Sequence, residues 1–397
     1  MAEPNRQLSI LHLITTIACG GAENQLQQLV QASDGRLFCH TVVSLHGGGP
    51  IADELKAMGV EVHSLGLKRG SLSLSGMVRL VPMLRRLRPD VLHCWMYHAC
   101  LMGAAASRMA RTPSLVWGLR AAHTDLSDYS FMTRSVIRLC ARMSSWPQAI
   151  VVNSRTAREA HRLLGYNTRR MKVIPNGIDT RQFAPSPESR CAVRQELGLR
   201  DDHVLVGMFS RFDPMKDHAS FFRAAAAVHQ HYPAARFLLA GVGITADNAA
   251  LMGMVSENSL QDATFLLGQR RDIPRLSSAL DVACLSSWTE SFPNVVLEAM
   301  SCGVPCVVTD AGDSASIVGD TGRIVPVRDT DALAEALAAL VGMDFVQRAA
   351  LGQKARERML HCFAVERAVQ EYESLYQECA GSGGLNHEQP DGSAEAM

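Results

Sequence analysis

The stretch from Leu285 to Pro305 constrains this chain more than any other. It reads Leu-Ser-Ser-Trp-Thr-Glu-Ser-Phe-Pro-Asn-Val-Val-Leu-Glu-Ala-Met-Ser-Cys-Gly-Val-Pro. Val282 to Leu285 is a short apolar run suited to a buried parallel strand. Pro293 stands where a first helical turn begins, and its missing N–H costs nothing there. Val296, Leu297, Ala299 and Met300 carry the helix on, Gly303 ends it and Pro305 prevents its resumption. The amides from Ser291 to Val295 are then unpaired and face whatever sits above the strand end, which suits an anion such as phosphate. Two acids bracket the turn, Glu290 in the loop and Glu298 one turn into the helix. A carboxylate is repelled by phosphate, so these two read as acceptors for the hydroxyls of a sugar or a ribose. The same spacing also fits a helix-start charge and a solvated helix residue.

Strands and helices alternate on both sides of this stretch, which predicts doubly wound parallel sheets whose ligands bind off the strand ends. In the first half the strand runs are Leu8 to Thr16, His40 to Leu45, Val60 to Leu65, Val91 to Cys94, Leu115 to Leu119, Ala149 to Val152 and Val173 to Pro175. Gly20 and Gly21 follow the first run, where a backbone can approach a ligand closely or simply turn tightly. Three polar clusters follow later strands: His93-Cys-Trp-Met-Tyr-His98, Arg120-Ala-Ala-His-Thr-Asp125 and Asn153-Ser-Arg155. His93 also fits a satisfied histidine at a strand end, and Trp95 and Tyr97 fit the core.

The second half restarts with His203 to Phe209. Arg211 and Lys216 follow in the next loop, where two cations suit a diphosphate: arginine by a forked contact, lysine as a point charge. Two unrelated surface charges are the plainer reading. Gly241-Val-Gly243 lacks a third glycine and an acidic ribose partner, so it is a weak dinucleotide signal. Asp329-Thr-Asp331 precedes a helical pattern and reads as a helix cap rather than a metal pair.

The chain has 397 residues, enough for two domains with ample core. It has zero net charge, yet residues 1–185 hold 22 basic and 11 acidic side chains, and residues 186–397 hold 17 and 28. A basic first half suggests that it meets something anionic. Met77 to Arg88 mixes apolar residues with four arginines, with Pro82 interrupting any long helix. Phe131 to Ser144 places Arg134, Arg138 and Arg142 on one helix face, opposite Val136, Leu139 and Cys140. Either could lie on an anionic bilayer or cover a sheet with a solvated face. No apolar run is long enough to predict a spanning helix, and no secretory leader is expected. Eleven scattered cysteines without a Cys-x-x-Cys pair point to reduced thiols in the cytoplasm.

Glu290-Ser-Phe-Pro-Asn-Val-Val-Leu-Glu298-Ala-Met, followed by Gly-Val-Pro-Cys-Val-Val-Thr-Asp310, resembles the Glu-x7-Glu segment of the retaining nucleotide-sugar glycosyltransferases of family 4. Ser291 departs from a common glycine there, and Val242 from a common aspartate. The resemblance covers about residues 8 to 378 and implies the GT-B fold, two Rossmann-like doubly wound domains facing a cleft. Its expected parts are an acceptor domain over 1–185, a nucleotide-sugar domain over 186–362, a helix over 363–379 crossing back to the first domain, and a disordered tail over 380–397. The resemblance implies that Arg211 and Lys216 hold the pyrophosphate, Glu290 the donor sugar and Glu298 the ribose. Ser291, Phe292, Pro293 and Asn294 supply the helix mouth. Gly20 and Gly21 touch donor and acceptor, Arg270 lies by the nucleobase, and His123 is the nearest histidine for the donor sugar. Glu23, His93, His98 and Arg120 are the acceptor-side candidates. Catalysis is expected to need no metal or cofactor, with a UDP-sugar the favoured donor. The His93 cluster resembles the subgroup that builds O-antigen and exopolysaccharide repeats, which implies a lipid-linked or oligosaccharide acceptor at the inner face of the membrane and no nucleic acid partner. A soluble enzyme making a small glycoside or storage glucan, or a silent sugar-nucleotide-binding protein, are the alternatives.

Overall fold

The computed structural model describes residues 6–18, 20–68, 74–112, 114–122, 125–126 and 129–382. Thirteen described strands form two sheets, and every ladder is parallel. The first sheet contains β1 (Leu8–Ile14), β2 (Phe38–Ser44), β3 (Glu61–Ser64), β4 (Val91–Trp95), β5 (Ser114–Leu119), β6 (Ala149–Val152) and β7 (Met171–Val173), in the order β3-β2-β1-β4-β5-β6-β7. The second contains β8 (Val204–Phe209), β9 (Ala235–Ala240), β10 (Thr264–Leu266), β11 (Val282–Leu285), β12 (Cys306–Thr309) and β13 (Arg323–Val325), in the order β10-β9-β8-β11-β12-β13. Each order reverses beside its first strand, between β1 and β4 and between β8 and β11. Open α/β sheets bind ligands at such switch points, off the carboxyl ends of the strands.

Helices cover both faces, which is why strands such as β4 and β5 are buried along their whole length. Around the first sheet lie α1 (Gly21–Ala32), α2 (Pro50–Ala57), α3 (Leu74–Leu87), α4 (Tyr97–Ala110), α5 (Phe131–Met143) and α6 (Arg155–Leu163). Around the second lie α7 (Pro187–Glu196), α8 (His218–His231), α9 (Ala249–Glu257), α10 (Ile273–Ala279), α11 (Asn294–Ser301), α12 (Ser314–Val318), α13 (Thr330–Val341) and α14 (Phe345–Arg358). The last helix, α15 (Val365–Ser382), returns to the first sheet, where Val365, Val369, Tyr372 and Tyr376 share a core with Ile10, Ile14, Val91 and Trp95. A π-helical turn, Met359–Phe363, precedes it. The two crossing segments meet where Ile178 N–H donates to the Phe363 carbonyl and Val365 N–H to the Ile178 carbonyl, both at 2.9 Å.

Several local expectations shift. Helix α3 continues through Pro82 rather than breaking. The proline and Val78, four residues before it, are both exposed, so the carbonyl that loses its partner can turn to water. On α5 the buried stripe is Val136, Ile137, Cys140 and Ala141, and Leu139 is exposed. Ala380 to Ser382 continue α15, and the remainder of the expected tail lies outside the described residues. Asp329 caps α13, accepting from the Ala332 N–H at 2.9 Å, as the cap reading requires. Among the described residues no helix is long and apolar enough to cross a membrane.

Candidate active site

The strand–loop–helix unit around Glu290 forms as its residues dictate. Strand β11 ends at Leu285, Pro293 is the residue that caps α11, and Gly303 closes the helix with φ of +75°. The amides of Asn294 and Val295 head the helix with no partner among the described residues. Glu290 is held from two sides: its Oε1 accepts from Lys216 Nζ at 2.5 Å and from Ser287 Oγ at 2.7 Å. Both partners of the ion pair are mostly buried, at 16% and 12% side-chain exposure, so solvent screens the pair only weakly.

Lys216 reaches Glu290 because its loop is fastened to the loop after β11. Ser286 Oγ donates to the Lys216 carbonyl at 2.8 Å, and Trp288 donates to the Met215 carbonyl through its backbone at 3.0 Å and to the Pro214 carbonyl through its indole at 2.9 Å. The Arg328 guanidinium lies 4.7 Å from the centre of the Trp288 ring. Asp217, in the left-handed region at φ 50°, ends this loop and caps α8 by accepting from the Ser220 N–H. Arg211 stands at the rim, 58% exposed and paired with Asp213 at 2.9 Å. Gly241 closes the floor behind it: a Cβ there would sit 2.0 Å from the Ser210 carbonyl oxygen, so only glycine allows the loops after β8 and β9 to meet.

Glu298 differs from Glu290. It lies on α11 with no ion partner among the described residues, and burial pushes its carboxyl up to about 7. Across the cleft, Glu23 on α1 is 9% exposed, and burial raises its carboxyl too. Gly20 and Gly21 begin α1, and a Cβ on Gly21 would come 3.6 Å from Asn294 Nδ2 of the other half.

These residues surround one cavity of about 660 Å³ between the halves. It gathers Arg211, Lys216, Glu290, Glu298, Arg270, Ser291, Phe292, Pro293 and Asn294 from the second half with Gly20, Gly21, Glu23 and Arg120 from the first. Arg270 enters with its fork already engaged by Asp272, both bonds at 2.7 Å. Arg120 is anchored from behind, donating to Asn176 Oδ1 and, at 2.7 Å, to the Tyr372 hydroxyl of α15, with its guanidinium 4.6 Å from the Trp95 ring.

His93 and His98 are not part of this gathering, and His123 lies outside the described residues. His93 is inside β4, fully buried, and its Nδ1 bonds the Tyr376 hydroxyl at 2.8 Å. Its ring packs 4.5 Å from Trp95, and burial holds it neutral, far below the usual histidine range. His93 lies in the middle of β4 and faces α15, whereas the cleft lies off the strand ends. His98 sits half-buried on the first turn of α4, where burial and nearby His46 lower its pKa.

Two cleft residues escaped the site reading. Asn153, in the polar cluster after β6, accepts from Ser291 Oγ at 2.7 Å, and Asn176, which follows the strand run ending at Pro175, donates to Asn294 Oδ1 at 2.7 Å. Both bonds join the halves across more than a hundred residues of sequence. Their position directly after strand ends was the available signal.

Comparison with known proteins agrees with this architecture. The profile for "Glycosyltransferase Family 4" matches residues 19–182 and that for "Glycosyl transferases group 1" matches residues 203–342, together more than half of the chain. The chain is 24% identical over 310 residues to an Escherichia coli UDP-Gal:alpha-D-GlcNAc-diphosphoundecaprenol alpha-1,3-galactosyltransferase, covering 76% of this chain and 79% of that one. It is 29% identical over 220 residues to N-acetyl-alpha-D-glucosaminyl L-malate synthase of Bacillus anthracis, covering 55% of this chain and 56% of the relative. Its fold is similar to that of Anabaena HepE crystallised with UDP and glucose, with a TM-score of 0.82, 24% identity, and coverage of 94% of this chain and all of the other. Two matched halves in the right order, on a fold of this kind, mean that the chain is a glycosyltransferase and belongs to family 4 of the GT-B enzymes.

Proposed function

We propose that the protein transfers a sugar from a nucleoside-diphosphate-sugar, with UDP-sugars favoured, to a hydroxyl of a lipid-linked glycan in cell-surface polysaccharide synthesis. The observation that carries this reading is that Lys216, Arg211 and the head of α11 line one cavity with Glu290, Lys216 in direct contact with its carboxylate. Breaking the bond between sugar and diphosphate develops negative charge on the departing phosphate. Lys216, Arg211 and the helix amides are preorganised to stabilise it, the kind of electrostatic contribution that dominates such reactions. That set performs the charge neutralisation that a metal performs elsewhere, so transfer proceeds without one.

Glu290 accepts hydrogen bonds from donor sugar hydroxyls and holds the anomeric carbon near the acceptor. Ser287 keeps that carboxylate oriented while the arriving diphosphate shares Lys216. Glu298 receives the ribose hydroxyls. The acceptor hydroxyl attacks from the leaving-group face, passing its proton to the departing phosphate oxygen, and the anomeric configuration is retained. The E. coli and Anabaena relatives, whose names specify UDP-galactose and UDP, support a uridine donor. A thermal-shift panel of UDP-, GDP- and ADP-sugars tests it. The true donor at a hundred times its dissociation constant adds about 2.7 kcal/mol of stability. A UDP-sugar set that leaves the midpoint unmoved while GDP- or ADP-sugars raise it overturns the uridine assignment.

The lipid-linked acceptor places the enzyme at the inner face of the cytoplasmic membrane. Helix α5 supports that placement, since Phe131, Met132 and Leu139 are exposed on it beside Arg138 and Arg142. Basic residues near an anionic surface contribute about 1 kcal/mol each. The full chain is expected to float with phosphatidylglycerol vesicles at low salt and not with phosphatidylcholine vesicles. Absence from the floated fraction in both removes the membrane contact.

A further inference from the structure

Helix α6 starts on the cleft side of the first half, directly after β6, and its first amides need partners. The first half supplies one, as Ser154 Oγ accepts from the Ala157 N–H at 2.8 Å. The other two come from the second half. The Asp313 carboxylate, in the loop after β12, accepts from the Arg155 N–H at 2.9 Å through one oxygen and from the Thr156 N–H at 3.0 Å through the other. The Thr156 hydroxyl adds a third bond at 2.7 Å. A carboxylate on the positive end of a helix is the favoured arrangement for a cap, and this one is 9% exposed. A cap drawn from another domain holds only while the domains are docked.

The same loop supports the segment that carries Glu290. Asp313 N–H donates to the Ser291 carbonyl at 3.0 Å. Gly312 adopts φ of +61°, and a Cβ there would stand 2.5 Å from the Glu290 carbonyl oxygen. Glu290, Ser291 and Asp313 are thus packed and bonded as one unit. That unit meets the first half a second time, because Ser291 Oγ donates to Asn153 and lies 3.0 Å from Ser154 Oγ. The Ser291 side chain therefore has a use that the cleft alone does not explain.

We propose that Asp313 is a positioning residue: by capping α6 of the opposite half, it couples docking of the two halves to the placement of Glu290 and Ser291. The catalytic consequence rests on the reading of Glu290 as the donor-sugar contact, whereas the docking itself does not. Asp313→Ala removes both acceptor oxygens, and Asp313→Asn keeps one. Three measurements on the full chain test the proposal: small-angle scattering without ligand, kcat for transfer from the UDP-sugar, and the dissociation constant for UDP. Asp313→Ala is expected to increase the radius of gyration and lower kcat about tenfold, the scale of a lost helix cap, while UDP affinity changes by less than about threefold. Asp313→Asn should fall between Asp313→Ala and the parent in both scattering and kcat, and it carries the test if Asp313→Ala does not fold. Scattering curves that superimpose for all three proteins overturn the proposal. So does an unchanged kcat, or a loss of UDP affinity as large as the loss of kcat. A parent chain that turns over no UDP-sugar defeats the donor reading instead, and the scattering series then decides the docking role by itself.

Discussion

The two sheets reach the cleft with the same edge and, apart from the extra strand β7 in the first, the same strand order, but their switch points carry opposite chemistry. In the second half the loops after β8 and β11 bring a lysine, an arginine and a glutamate together, with Lys216 and Glu290 in direct contact. In the first half the loops after β1 and β4 bring Gly20, Gly21 and Met96, and the nearest carboxylate, Glu23, has no ion pair among the described residues. One switch point carries an ion pair and the other carries glycine backbone. The same topology serves both because it fixes only where the loops converge, not what they carry.

Replacing the cation tests that contrast most severely. Lys216→Ala is expected to cut kcat by about 10²–10³-fold, the cost of losing one preorganised charge contact. It also leaves Glu290 with Ser287 as its remaining partner, so part of the loss reflects a freed carboxylate. Steady-state transfer, with circular dichroism to confirm the fold, measures it. A kcat within about tenfold of the parent would mean that the second switch point does not carry the leaving group.

A smaller effect is expected from the histidine that the first half buries. His93→Ala orphans the Tyr376 hydroxyl and empties space between β4 and α15, which should cost about 2–4 kcal/mol of stability. Because His93 lies outside the cleft, UDP affinity should stay unchanged. A denaturant titration beside a UDP titration reads both, and a large loss of affinity would return His93 to the ligand side.

The different legibility of these two residues has a physical cause. Glu290, Pro293 and Glu298 were readable because strand, loop, cap and helix follow one another within a dozen residues, so local rules fix their geometry. Arg211 and Lys216 shared that advantage, standing directly after a strand. His93 also stands at a strand end in sequence, but its destination depends on which face α15 covers, and that helix begins 272 residues later. The same limit hid Trp288, whose indole holds the Lys216 loop, and the Asn153–Ser291 and Asn176–Asn294 bonds between halves. Pairings set by domain docking leave no local trace. Pro82 misled in the other direction, since a solvent-facing helix tolerates a proline that a buried one does not.

The subtlest test concerns the two glutamates of α11 and its preceding loop. Glu290 has a cation in place, but Glu298 is pushed up to about 7 by burial alone, above its ordinary value of 4.5. The folded state then binds more protons than the unfolded state between those values, so this group lowers stability as pH rises from about 4.5 to about 7. Glu23 acts in the same direction, while His12, His40 and His93, held neutral by burial, lower stability on the acid side instead. Comparison of the ligand-free parent with Glu298→Gln cancels those shared trends. The variant should gain about 1–3 kcal/mol relative to the parent on going from pH 5 to pH 8, read from urea midpoints. Binding reverses the preference, because ribose hydroxyls donate best to an ionised carboxylate and so pull its pKa down. UDP affinity of the parent should therefore rise about tenfold between pH 5 and pH 8, and that of Glu298→Gln should rise less. Parallel slopes for the two proteins would detach Glu298 from the nucleotide and leave the ribose to another group in the cleft.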